Sequence, residues 1–382
     1  MIKRINFLSL SILLLSAIML GSGTIAQADK VQSATPEATA VATANAPTAP
    51  RLLTVEKNGK WGYIDLTGKV VIKPQFTSAM PFFEGLAAVA YGKKWGYIDL
   101  TGKVVIKTIY DSADPFMDSL AAVEVNTQWG YIDAKGKFVV KPQYDLAAPL
   151  WNGLAMVILH GKSGFLDKTG KTVIPLKYPS ATAFSEGLSL VLIEGKWGYI
   201  DPTGNVVIQP QFELGSPFLN GLAAVKIDDK YGYIDPTGKV IIQPQFDAAF
   251  DFTGDLTSVQ IGDKWGYIDR TGKVVIQPQF DSAAPFDEGL AVVELDGKYG
   301  FIDPTGKAVI KPQFTNAYEF SSGLAPVEVG AQWGYVDPTG KMVIDPQYDQ
   351  AFAFLDGVAQ VTLGDKTGYI DPTGKYIWQP SK

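Results

Sequence analysis

The chain has 382 residues, 46% of them hydrophobic, with 33 basic side chains against 39 acidic ones. The net charge of −6 opposes binding to nucleic-acid phosphates and to anionic membranes. One histidine and no cysteine exclude disulfides, a lipid-modified cysteine and a zinc site of the usual kind.

In chain order, residues 1–28 read as an export signal. Lys3 and Arg4 form a positive start, residues 6–20 a short apolar stretch, and Ala26-Gln27-Ala28 a small-x-small cleavage motif. Cleavage is expected before Asp29, with an uncleaved anchor as the alternative. The apolar stretch is short for a span, which needs about 20 residues. Loss of Lys3 and Arg4 takes the net charge to −8. The expected location is periplasmic, cell-surface or extracellular. Residues 29–51 are rich in Ala, Thr and Pro and carry no aromatic residue, the composition of a disordered linker. Beyond residue 50 no apolar run is long enough to cross a bilayer, so the mature chain is expected to have no transmembrane segment.

From residue 52 to 382 one unit of 34 residues recurs ten times. Trp-Gly pairs stand at Trp61, Trp95, Trp129, Trp197, Trp265 and Trp333, and Ser163, Tyr231, Tyr299 and Thr367 fill the remaining slots, each followed by Gly. The tenth unit is cut short at Lys382. A fixed period of this length marks a repeat architecture whose units bury their apolar faces against their neighbours. Within a unit, Leu86–Tyr91 predicts a short strand, Gly92-Lys93 a tight turn and Lys94–Asp99 a second strand. Asp99-Leu100-Thr101-Gly102 predicts a type I turn capped by the Asp carboxylate, and a third strand follows. A nine-residue connection such as Thr77–Gly85, anchored by Phe82, leads to the next unit.

On the second strand, Trp95, Tyr97 and Asp99 share one face, and Gly96 leaves room for a ring or a backbone. Two aromatic residues per unit are expected to supply most of the cohesion. Each unit is a complete three-strand antiparallel meander in chain order. The expected fold is therefore an all-β, open, superhelical, solenoid-like array, with a closed propeller-like ring as the alternative.

The recurring pattern, in full form Lys94-Trp-Gly-Tyr-Ile-Asp-x-Thr-Gly-Lys and closing on Ile-x-Pro-Gln-Phe in most copies, resembles the WG-repeat (KWG-repeat) family of bacterial β-repeat proteins. The resemblance covers residues 52–382. It implies a β-rich repeat scaffold and brings no catalytic residues. The fourth copy departs from the pattern at Ser163 and Pro175–Tyr178, and the tenth at Thr367.

No constellation for catalysis, metal or cofactor binding emerges, so an enzyme is not expected. His160 occupies a hairpin-turn slot without an accompanying nucleophile or carboxylate motif. The ten turn Asp residues read as caps rather than calcium ligands. The lysine row that includes Lys60 reads as a solvated edge, with an anionic-glycan track as the alternative. The expected function is protein–protein interaction at the cell envelope, with binding of envelope polysaccharide through aromatic rings as the alternative. Specificity is expected in the variable slots. One lies on the first strand and holds Glu124, Lys226, Gln260, Glu294 and Glu328. The other is the connection slot holding Trp151, where other copies carry Phe, Met, Ser, Leu, Thr or Asp. Trp151 is alternatively a patch beside Ser163.

Overall fold

The structure, a computed structural model, describes residues 51–379. The export signal and all of the linker but Arg51 lie outside the described residues. Within them every regular element is a β-strand.

Strands β1 (Leu53–Lys57), β2 (Lys60–Ile64) and β3 (Val70–Phe76) form the first sheet. The second sheet has four strands: β4 (Ser78–Ala79), β5 (Leu86–Tyr91), β6 (Lys94–Asp99) and β7 (Val104–Tyr110). The third repeats this order with β8 (Ser112–Ala113), β9 (Leu120–Val125), β10 (Gln128–Asp133) and β11 (Phe138–Tyr144). The fourth follows with β12 (Leu146–Ala147), β13 (Leu154–Leu159), β14 (Lys162–Asp167) and β15 (Thr172–Tyr178). Six more sheets run from Ser189 to Trp378. The three-stranded expectation is thus corrected. In eight of the ten sheets part of the preceding connection is a two-residue strand that joins the sheet, as Ser112 and Ala113 pair with Glu124 and Val123, while the first sheet and the one over residues 189–212 keep three strands.

The local chemistry explains the strands. Asn58 and Gly59 both take positive φ (53° and 71°), the type I′ geometry that fits strand twist. The Asp turn also behaves as expected. Asp99 Oδ1 accepts from Thr101 N (2.9 Å), Thr101 Oγ1 (2.6 Å) and Lys103 N (3.1 Å), and Gly102 N donates to Asp99 O. The Thr101 hydroxyl and the two backbone N–H groups hold the carboxyl below its ordinary range.

The glycine of each Trp-Gly pair answers to the third strand. Trp95 pairs with Tyr110 and Tyr97 with Ile106, so β7 carries two extra residues there. That bulge presses its backbone over Gly96: a Cβ would stand 2.5 Å from Ile106 O and 2.7 Å from Thr108 N. In most other copies Pro fills the slot of Thr108, as Pro74 does over Gly62, where a missing N–H leaves no ladder bond unmade.

The sheets divide into two compact units, one of residues 79–183 and one of residues 51–78 together with 184–379. In the first unit, cores lie between successive sheets. Ala88, Tyr97 and Ile106 pack with Tyr110, Phe116, Val123 and Ile132. Tyr97 and Phe116 meet edge to face at 4.8 Å, and the Tyr97 hydroxyl donates to Asp114 O (2.8 Å) in the following sheet. Tyr131 repeats the bond to Ala148 O at 2.6 Å. Trp95 and Trp129 are only half-buried at the margins, so the tyrosine and the connection phenylalanine supply more cohesion than the indole. The fourth copy keeps the common register despite its departures, since Ser163 pairs with Tyr178 and Phe165 with Ile174.

The second unit overturns the open array. Leu53, Val55 and Ile64 of the first sheet share a core with Val358, Tyr369, Ile377 and Trp378 of the last. Tyr369 donates to Thr54 O at 2.9 Å, and Arg51 pairs with Asp356. Gly68 lies so close to Ile377 O that a Cβ would clash with it. The two ends of an open solenoid stand apart. Here they are packed together, so the open array is corrected.

A candidate binding groove on three hairpins

Most connections end in a two-residue hairpin, which the sequence usually marks by a Gly at its second position. Phe83 N donates to Leu86 O and Leu86 N to Phe83 O, both at 2.9 Å, with Glu84 and Gly85 between them at φ 49° and 80°. Met117 and Leu120 close around Asp118 and Ser119 in the same way, and Trp151 and Leu154 around Asn152 and Gly153. All six central residues have positive φ. Beneath the turns, Phe116 and Leu150 are buried core residues.

The hairpins are stapled in series. Ser119 N donates to Glu84 Oε2 (2.9 Å), and Gly153 N donates to Asp118 Oδ2 (3.0 Å). Each bond reaches 35 residues along the chain, from one repeat to the next. Together the turns line a groove of ≈ 230 Å³ formed by Phe83, Glu84, Phe116, Met117, Asp118, Leu150, Trp151 and Asn152. Phe83 is 44% exposed and Trp151 40%. In the same slot, Ser185 and Ser321 turn back onto backbone carbonyls at Phe218 and Phe354. Leu219 and Leu355 are apolar but isolated. Among the described residues, only here are three successive slots apolar.

The WG containing repeat, as a family model, matches this chain nine times: at residues 61–95, 95–126, 129–162, 164–197, 197–231, 231–265, 265–299, 299–332 and 333–366. The chain belongs to the WG-repeat family. Among solved structures, the WG array is similar to a eukaryotic initiation factor at 13% identity and TM-score 0.51, over 87% of this chain and 97% of that one. That likeness bears on fold alone. Weaker likenesses are to PorZ of Porphyromonas gingivalis (12% identity, TM-score 0.26, 87% of this chain and 59% of that one) and to Kluyveromyces lactis Hsv2 (11%, 0.34, 59% and 91%). No curated protein matches the chain.

Against the WG-repeat register, the sequence-predicted residues separate into two places. Trp151 lies in the groove, at the start of β13. It does not sit beside Ser163: Trp151 bridges to Leu154, whereas Ser163 pairs with Ile158, four residues beyond Leu154 and about 13 Å along the strand from it at 3.3 Å per residue. Glu124, Lys226, Gln260, Glu294 and Glu328 lie at that far end of their strands. Each is half-buried beside the ring of the Trp-Gly slot: Glu124 by Trp129, Lys226 by Tyr231, Gln260 by Trp265, Glu294 by Tyr299 and Glu328 by Trp333. Lys226 is also paired with Asp229 at 2.9 Å. Within the first unit, the structure therefore does not bring Glu124 together with Trp151.

The lysine row is partly neutralised in place. Lys94 contacts Asp111 (2.6 Å), and Lys230 and Lys264 contact Asp247 and Asp281. The other oxygen of Asp111 accepts Asn126 N from the next hairpin. His160 is an exposed turn residue whose N–H donates to Asp145. Among the described residues no cluster of His, Cys, Asp and Glu is placed to hold a metal, and no helix is long and apolar enough to cross a membrane. Sequence reasoning passed over Phe83 and Met117. Their signal was the shared slot with Trp151, which becomes a site only when consecutive hairpins lie side by side.

Proposed function

We propose that this WG-repeat protein is an exported, non-enzymatic scaffold that holds a protein partner at the cell envelope, and that the groove of Phe83, Met117 and Trp151 makes the contact. The observation that carries the reading is the run of three large apolar side chains on rigid, serially stapled hairpins. Aromatic and methionine side chains dominate contact energetics, and a preformed surface lowers the ordering cost of association. Export is supported by the charge and apolar pattern of residues 1–28. The non-enzymatic reading is supported by the turn carboxylates, which are engaged in their own hairpins rather than facing a shared cleft. The test is capture from envelope extract by the wild-type protein and by Phe83→Ala/Met117→Ala/Trp151→Ala. A partner retained by the first and lost by the second is expected; the same capture by both would contradict the reading.

A second reading, binding of envelope polysaccharide, is favoured by Phe83 and Trp151 standing exposed beside Glu84, Asp118 and Asn152, since rings and hydrogen-bonding side chains together suit sugars. Titration with envelope glycans would shift tryptophan fluorescence in the wild type and not in Trp151→Phe.

A further inference from the structure

The groove's polar lining has one sign. Glu84 and Asp118 are carboxylates, Asn152 is neutral, and no basic side chain lines it. Each carboxylate engages one oxygen in its staple, Glu84 through Oε2 and Asp118 through Oδ2. Both side chains are exposed. We infer that the occupant of the groove is a peptide segment of a partner protein in which Lys or Arg alternates with large apolar residues, its apolar side chains on Phe83, Met117 and Trp151 and its cations on Glu84 and Asp118. This rests on the protein-partner reading and gives its chemistry. Charge complementarity selects the cationic segment. An acidic one would face like charge, and a neutral glycan would leave the two carboxylates without counterions. Met117 supports the same choice, because a flexible thioether adapts to varied apolar side chains.

The experiment uses the full chain and fluorescence anisotropy of a labelled twelve-residue Lys/Leu peptide, with a Glu/Leu peptide, a Lys/Ser peptide and chitohexaose as comparison probes. Only the Lys/Leu peptide is expected to bind. Its affinity should fall about tenfold or more in Glu84→Gln/Asp118→Asn, and by a similar factor between low and high salt. These substitutions keep an acceptor oxygen for Ser119 N and Gly153 N, so the staples persist and loss of fold does not mimic loss of charge. Phe83→Ala/Trp151→Ala should also abolish binding. Equal affinity of the charge-neutral variant, salt-independent binding, or binding of the Glu/Leu peptide would overturn the inference. Binding of chitohexaose alone would transfer the site to the glycan reading. The failures are separable. Should the triple-alanine variant still lose an envelope partner while Glu84→Gln/Asp118→Asn retains it, the scaffold reading stands and the cationic-segment inference falls.

Discussion

Single atoms decide much of this repeat. Tyr97→Phe removes one buried hydrogen bond to Asp114 O, and a loss of about 1 kcal/mol in urea unfolding is expected. The chain already carries Phe165 and Phe301 in that slot, so the change should weaken and not abolish folding. Asp114 acts in the opposite sense. Burial pushes its carboxyl from 3.8 up to about 7. Between those values the folded state keeps a proton that the unfolded state has released, so Asp114 lowers stability as pH rises through that window. Asp114→Asn is expected to raise the unfolding midpoint at pH 8 more than at pH 4. An equal change at both would contradict the burial account. Asp99 has the reverse sign. Its lowered carboxyl contributes stability above its ordinary value, lost as pH falls below it.

At the level of strands and turns, the sequence was most legible where chemistry is local. The Asp-X-Thr-Gly turn, the tight hairpins and the anchoring phenylalanine follow from residue type alone. Gly96 was readable as a close approach, and the structure supplies the partner, the bulged backbone of β7. Gly96→Ala should therefore cost on the order of 3 kcal/mol, because backbone and not a flexible side chain must move. Gly59→Ala should cost about 1 kcal/mol, since only its positive φ is at stake and nothing stands within 4 Å. Equal costs in thermal unfolding would refute the bulge as the reason for the Trp-Gly pair. The fourth strand was illegible for a physical reason. Ser112–Ala113 is two residues long, too short to show a period, and its ladder partners Glu124 and Val123 belong to the next copy of the repeat. Trp151 stood out by departing from its column. Phe83 and Met117 did not, because the chain lists them 34 residues apart while the hairpin staples place them around one groove.

For the molecule as a whole, the period of 34 specifies the unit and leaves open the rotation from one unit to the next. A complete meander in every copy suggested an open array. The join that overturns it is made by long-range contacts no local pattern encodes: Tyr369 to Thr54, Arg51 to Asp356, and the shared core of Leu53, Val55, Ile64, Val358 and Tyr369. An unclosed array would leave that apolar core in water, at about 25 cal/mol for each Å² exposed. The absence of native cysteine makes the join directly measurable. Arg51→Cys/Asp356→Cys, treated with a short bismaleimide, is expected to give an intramolecular cross-link in the folded protein and none in denaturant. Failure to cross-link, with Glu84→Cys/Ser119→Cys reacting normally as the adjacent-repeat control, would contradict the packing of the first sheet on the last.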